Sequence, residues 1–467
     1  MKSRFIFVGV ILFVLVQAGS SLAGGGFALP GVGSKALNMG GAFRGLADDW
    51  SAAFWNPAGL AYLPNSEFTM NLYTLNFRPE YTPNINLGES GYSYSFGYPN
   101  ETYYPEDRAF FLPSFSGFYK FTEFEGFTGG VAFYVPYKLE AKWDLYEPPS
   151  GFDNKKAYPK FDHQTDILIW DIHPTVAKSF MEGKLSLGLG LSIQRSDFEL
   201  RRTVLVPTIY PRPYDFFPVD AYMKTDGWGL GFNAGILYKV SPKLQFGFSY
   251  QSPVDISLSD SIGLEMYFPV IPNSGILDPT YPYGDVNFET TLPLPGEIGV
   301  GVMYKPIEKL TLTCDLSSVN WSRLEYLDTK DIILTPDTLI YGTMYLGVRE
   351  TKLPFNWDDI VRFSLGGEYI LKEGLFVRGG YFFEQSPIPN STFTLLIPDV
   401  GDKHSINVGL SYQINSFELG YDYQLVVHKK REVKAIQDVN GDDRFDNMPG
   451  DYKMLFHCSG LSFTYRF

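Results

Sequence analysis

The strongest constraint in this chain is an alternation of period two whose faces are unlike those of a soluble sheet. Across 405–413, Ile406, Val408, Leu410 and Tyr412 fall on one face, and Ser405, Asn407, Gly409, Ser411 and Gln413 on the other. The run 417–425 repeats it, with Phe417, Leu419, Tyr421, Tyr423 and Leu425 opposed to Glu418, Gly420, Asp422 and Gln424. In 184–194, Leu185, Leu187, Leu189, Leu191 and Ile193 oppose Ser186, Gly188, Gly190 and Ser192. Such alternation marks β-strands. A soluble sandwich alternates too. Here, however, the polar face is largely Gly, Ser, Thr, Asn and Gln with few charges, and the apolar face is long and aromatic at its ends. That is the lipid-out, lumen-in pattern of a transmembrane barrel.

Fourteen such runs can be placed, at 66–77, 109–121, 127–143, 165–180, 184–204, 221–240, 243–262, 285–305, 308–325, 358–371, 374–384, 404–415, 416–428 and 452–467. A single-chain bacterial barrel needs an even number. The connections alternate in length. Long ones fall near 78–108, 144–164, 205–220, 263–284, 326–357, 385–403 and 429–451; short ones include 123–126, 181–183, 240–242 and 371–374. Long outer loops and short periplasmic turns give that asymmetry. The expected fold is all-β, a 14-stranded antiparallel transmembrane β-barrel over 65–467, in the outer membrane of a Gram-negative bacterium. The ending 461–467 alternates apolar residues and finishes on Phe467. It looks like the signature by which the barrel-assembly machinery recognises its clients. That machinery and outer-membrane lipid are the expected partners of a single-chain barrel, which is expected to be a monomer.

Composition agrees. The 39 Phe, 32 Tyr and 46 Gly suit strands and tight turns better than helices. Residues 1–23 read as a secretory signal peptide: Lys2 and Arg4 precede the apolar run 5–16, and Ser21-Leu22-Ala23 is a small-x-small cleavage pattern. No later stretch offers 18 uninterrupted apolar residues, so no transmembrane helix is expected after it. The net charge of -14 becomes more negative once Lys2 and Arg4 are removed. That argues against nucleic-acid or anionic-headgroup binding as the main task. The two Cys make no disulfide framework. Cys314 has the lipid phase and Cys458 the lumen phase, so no bond should link them.

A barrel of this width is not filled by its own wall side chains. The stretch before the first strand, 24–64, is rich in Gly and Ala and suits only short helical turns. Asp48, Asp49 and Ser51 suit a helix N-terminus. Pro57 ends the run and holds Asn56 extended. A compact plug, or hatch, over 24–64 follows. The sequence ALNMGGAFRGLADDWSAAFWNPAGLA resembles the N-terminal hatch of the FadL/TodX family of outer-membrane transporters for long-chain fatty acids and other hydrophobic compounds, with its Asn-Pro-Ala motif at Asn56, Pro57 and Ala58. A second stretch is similar in order: Trp357 with Asp359, then Arg378 to Phe382, Ser386 to Pro389, and Pro398 with Asp399. It departs in placing Tyr381 one residue early, with Phe382 where the family's Tyr stands. The resemblance implies passive uptake of a hydrophobic small molecule, a long-chain fatty acid foremost, with aromatic or alkane hydrocarbons as the alternative. A surface or adhesion protein without transport is the reading from another class, and it leaves the hatch unexplained.

Strand parity sorts the candidate ligand residues. Arg362, Ser364 and Glu368 face the lumen in the tenth run, as do Phe376, Arg378, Phe382 and Glu384 in the eleventh. A carboxylated apolar ligand needs an apolar groove and a cation, which Arg362 and Arg378 with Phe376 and Phe382 would supply. The alternative is that both Arg serve only to pair Glu368, Glu384, Asp48 or Asp49. The outer loops 206–219 and 264–277 are unusually apolar for loops, and exposed apolar patches usually mark interaction sites; in the family such loops capture the ligand. The acidic stretch 438–446 has Asp438, Asn440 and Asp442 in calcium-loop spacing. It lacks the Gly at position six (Asp443) and the Glu at position twelve (Pro449), so it is read as a loop without a specific ion. No catalytic set, cofactor site or metal site emerges: there is no G-x-S-x-G elbow, and His173 is a structural, lumen-facing residue. An outer-membrane lipase therefore lacks its nucleophile and base. Pro136 interrupts the third run, where Phe127, Val131, Phe133, Val135, Tyr137 and Leu139 have the lipid phase. A closed barrel has no edge strand, so Pro136 must mark a bulge, kink or gap. The family resemblance implies lateral release of ligand there, with the hatch near Asn56 to Ala58 supporting the unpaired groups.

Overall fold

The computed structural model describes residues 26–84, 100–106, 109–145, 159–207, 216–267, 280–328, 352–439 and 446–467. The expected signal peptide lies outside them. The strands are β1 Glu67–Thr82, β2 Ala109–Phe121, β3 Phe127–Trp143, β4 His163–Phe180, β5 Leu185–Pro207 and β6 Phe216–Ser241. Next come β7 in two pieces, Leu244–Gln251 and Val254–Tyr267, and β8 in two pieces, Thr280–Leu294 and Glu297–Ile307. The circuit is completed by β9 Leu310–Val319, β10 Ile360–Lys372, β11 Leu375–Glu384, β12 Lys403–Ile414, β13 Phe417–His428 and β14 Gly450–Arg466. Each pairs antiparallel with its sequence neighbour, and β14 pairs β1 from Glu67↔Arg466 to Thr82↔Asp451. The result is a closed 14-stranded barrel.

The outward face is apolar as the alternation required. Leu189 and Leu191 on β5, and Ile406, Val408 and Leu410 on β12, are all exposed. Toward the rim of short turns this belt ends in aromatic rings, with Phe417 stacked on Tyr465 at 5.0 Å and Tyr465 on Phe467 at 5.7 Å. Apolar residues facing out and aromatic girdles at the edge are the membrane-facing surface of such a barrel. Cys314 is exposed, Cys458 is buried and both are free.

Five expected runs differ in detail. β7 and β8 break at Ser252-Pro253 and Pro295-Gly296, each at a proline that cannot donate to the ladder. Their short-turn halves pair with each other, and so do their outer halves. The ninth run stops at Val319 and gives way to a 3₁₀ turn, Trp321–Arg323, instead of continuing to 325. The β5–β6 hairpin continues beyond its expected end to Pro207↔Phe216.

Residues 26–63 lie inside the barrel. Helix α1, Ser34–Asn38, packs on β11, β12 and β13, and it ends at Gly40 and Gly41, both with positive φ. Helix α2, Ala52–Trp55, is one turn long; Asn56 follows in extended geometry (φ -161°, ψ 97°), and a 3₁₀ turn, Pro57–Tyr62, packs on β4, β5 and β6. Ser51 makes no side-chain cap. Asp49 accepts from the Ser51 amide at 2.8 Å and its hydroxyl at 2.6 Å, and the Ala53 and Phe54 amides bond to the Trp50 and Ser51 carbonyls, so no side chain caps this turn.

Candidate functional site: the lumen and the β2–β3 opening

The small residues of the inward face have a packing reason. A Cβ on Gly380 of β11 would overlap the Gly40 nitrogen, and one on Gly188 of β5 would overlap the Pro57 carbonyl carbon. The N-terminal segment therefore lies directly on wall backbone. Asn56 anchors it: its amide donates to the Arg44 carbonyl at 2.8 Å and to the Ile236 carbonyl at 3.1 Å, while its oxygen accepts from Ala58. Ser186 of β5 donates to the Ala58 carbonyl at 2.6 Å.

Charge pairs hold the other contacts. Lys35 reaches Asp48 at 2.9 Å and Glu368 at 3.2 Å. Burial alone would depress the Lys35 ammonium; the two carboxylates outweigh it and raise its pKa. Burial dominates at Asp49, whose carboxyl is pushed up. Arg44 pairs with Glu297, and Asp315 accepts from the Phe43 and Arg44 amides at 2.8 and 2.6 Å. Arg378 pairs with Glu368 at 2.7 Å and lies 3.6 Å from Glu418. Arg362 pairs with Glu384 at 3.2 Å, donates to the Pro30 carbonyl at 2.6 Å and lies 4.3 Å from the Phe382 ring centre. Phe382 is fully buried; Phe376 is half-buried, 5.6 Å from the Arg378 guanidinium. Parity thus placed all four inward, and both guanidiniums are engaged by glutamates. His173 is buried between Asn233 at 3.1 Å and Asp171 at 3.4 Å.

The residues of the second motif converge on the start of the segment. Phe27 packs edge-on against Trp321 at 5.3 Å, and Trp321 on Trp357 at 5.0 Å. Asp399 accepts from the Gly26 amide at 2.7 Å, and Ser386 donates to the Asp399 carbonyl. Burial raises the Asp399 carboxyl against the pull of Lys403 and Arg431. Trp357 also walls a small apolar chamber of about 30 Å³, with Ile167, Phe198, Phe355, Ile388 and Leu396 among others, and with no Lys or Arg among its described lining residues. Phe27 and Trp321 went unnoticed in the sequence because nothing local marks a lone aromatic as a lumen contact.

Pro136 forms a bulge. Val135 and Pro136 together oppose Trp170, between the pairs Tyr134↔Asp171 and Tyr137↔Ile169. One extra residue reverses the faces of everything beyond it. The lipid phase expected for Tyr137 and Leu139 is therefore corrected: Tyr137 packs on Phe27 at 5.5 Å, and Leu139, Ala141 and Trp143 are buried in the lumen. The wall also parts here. β2 pairs with β3 only from Phe115↔Phe133 to Phe121↔Phe127, while Ala109 to Ser114 pair with β1 alone. Farther out, the Glu106 amide meets the Lys142 carbonyl at 2.9 Å and closes the upper end. Pro113 on β2 adds a second missing donor beside the opening. Support for the bulge comes from Ala28, which bridges Tyr137, and Leu29, whose amide donates to the Pro136 carbonyl at 2.9 Å. It does not come from Asn56 to Ala58, which sit on β5 and β6; the anchor of the segment and its contact with the bulge are at opposite ends.

The sequence pattern of the family described as Outer membrane protein transport protein (OMPP1/FadL/TodX) matches residues 14–467. The chain belongs to that family. It is similar to the Outer membrane protein P1 of Haemophilus influenzae, 24% identical over 349 residues, covering 68% of this chain and 69% of that one. It is similar also to the Long-chain fatty acid transport protein of Escherichia coli O6:H1, 28% identical over 214 residues and 44% of each chain. Among solved structures, a Pseudomonas aeruginosa FadL homologue superposes with a TM-score of 0.73 at 19% identity, covering 95% of this chain and 100% of that one. The Ralstonia pickettii toluene transporter TbuX does so with 0.63 at 16%, covering 94% and 99%. This FadL/TodX member is an outer-membrane transporter for hydrophobic compounds, and family and fold are those of passive transporters, not enzymes.

The expected capture loops fall largely at 208–215 and 268–279, outside the described residues. So do 440–445 of the acidic stretch; among the described residues no group of three or more His, Cys, Asp or Glu is placed to hold a metal.

Proposed function

We propose that this transporter takes up long-chain fatty acids, and that residues 24–64 act as a hatch guiding the ligand from the apolar chamber to a lateral exit between β2 and β3. The observation that carries this reading is the bulge at Pro136: β2 and β3 part beside it, and among the described residues the backbone contact behind it is the Leu29 amide at the start of the hatch. Outer loops capture the ligand, the Phe27 end of the hatch shifts, and the ligand leaves sideways into lipid. Arg362 and Arg378 then act by holding or releasing the hatch. Uptake of aromatic or alkane hydrocarbons is the second reading, favoured by the absence of cations among the described chamber residues. The relative named as a toluene transporter and the relative named for long-chain fatty acids support one reading each. The ladder between β14 and β1 closes the barrel within one chain, which supports a monomer, and the alternating last strand, Gly450–Arg466, supports recognition by the assembly machinery. The deciding experiment is uptake of radiolabelled oleate, hexadecane and toluene by cells with and without the protein. Protein-dependent entry of oleate supports the proposal; entry of toluene alone replaces it with the second reading.

A further inference from the structure

We propose that the cavity between the hatch and the β2–β3 opening selects ligands with a neutral, hydroxyl-bearing head, and rejects the carboxylate anion; this rests on the lateral-exit reading. The cavity is small, about 30 Å³, room for a head group only, and is walled chiefly by Leu29, Leu37, Leu75, Leu112 and Val135. Two polar groups on its wall have no partner: the Tyr73 hydroxyl, on a residue 8% exposed, and Oε1 of Gln424, 3% exposed. Buried polar groups are normally paired, so both await a partner from the ligand. The other end of the Gln424 amide is held by Asn407, which is itself held by Ser405.

No Lys or Arg is among the described residues of the cavity wall. Asp422 stands beside Tyr73, since a Cβ on Gly460 would meet both the Asp422 carboxylate and the Tyr73 ring. Asp422 is buried and already bound by Ser34. A ligand carboxylate on Tyr73 would face that acidic group in a medium of low dielectric. A hydroxyl instead donates to Gln424 Oε1 and accepts from Tyr73. A protonated carboxylic acid does the same with its two oxygens, and a fatty alcohol with one.

Cys458 lies on the cavity wall and reports occupancy directly. In Cys314→Ser protein in mild detergent, oxidation of Cys458 by photochemically generated hydroxyl radicals, which attack the thiol itself and so need no thiolate, is followed by mass spectrometry with 1-dodecanol, dodecanoic acid or dodecane. Each rate is normalised to the ligand-free rate at the same pH. Dodecanol is expected to protect equally at about pH 4 and about pH 9, whereas dodecanoic acid protects only at the lower value, below its own titration. Tyr73→Phe and Gln424→Leu each raise the protecting concentration of dodecanol on the order of fivefold, the size of one hydrogen bond, and leave dodecane unchanged. Equal protection by dodecanoate at the higher pH, or dodecanol protection indifferent to both substitutions, overturns the inference. If no probe protects Cys458 while cellular uptake still depends on the protein, this inference fails and the uptake reading stands. If uptake does not depend on the protein, both fall.

Discussion

β11 and β3 are strands of one barrel treated in opposite ways. Every residue of β11 from Leu375 to Glu384 pairs with β12, and nearly all pair with β10 as well. β3 keeps its full ladder with β4 apart from the bulge, but pairs with β2 only up to Phe133. The N-terminal segment meets the two walls differently. Against β11 it offers buried charge and close backbone: Lys35 on Glu368, and Gly40 on Gly380. Against β3 it offers the Ala28 bridge, the Leu29 amide and ring contacts, Phe27 on Tyr137 at 5.5 Å and Phe54 on Tyr134 at 5.6 Å. One wall is a mounting and the other is an opening that the mounted piece covers.

Removing the segment separates the two roles most strongly. Deletion of 24–64 should leave a folded, heat-modifiable barrel whose planar-bilayer conductance is many times that of the intact protein; conductance no higher would dismiss the plug. Glu368→Gln acts on the mounting alone. It deprives both Lys35 and Arg378 of their shared carboxylate, and breaking a buried pair costs about 3–5 kcal/mol. Faster hydrogen exchange across 34–38 is the expected reading, and unchanged exchange would show that the contact does not hold the segment.

Gly380→Ala should loosen the same docking by about 1–3 kcal/mol, because the added methyl has no space beside Gly40. Gly379→Ala is the control: its Cβ would point outward, with its nearest neighbour, the Asn407 carbonyl, 3.9 Å away. Equal exchange rates in the two variants would contradict the packing argument. On the opening side, Pro136→Val supplies the missing donor and should slow uptake of a hydrophobic substrate severalfold at equal surface expression, by about 1 kcal/mol for one ladder bond, while surface binding stays near normal. Uptake at the original rate removes Pro136 from the mechanism.

Much of this molecule was legible in its sequence because a membrane barrel is a repeating object. Lipid demands an apolar residue at every second position and a ladder without edges, so count, parity and loop asymmetry can be read locally. Parity was enough to put Arg362, Arg378, Phe376 and Phe382 inside, and Cys314 and Cys458 on opposite faces. It failed beyond Pro136. A proline announces an interruption but not whether a residue is inserted, and one inserted residue turned Tyr137 and Leu139 inward. Which charges find one another was also decided only by the tertiary structure. Lys35 and Glu368 are far apart in the chain, and their 3.2 Å contact exists because the segment before the first strand folds back inside the closed wall. The same holds for the support under Pro136. A motif such as Asn56-Pro57-Ala58 fixes a local turn, but only the path of the segment through the lumen brings Leu29, and not Asn56, to the open seam.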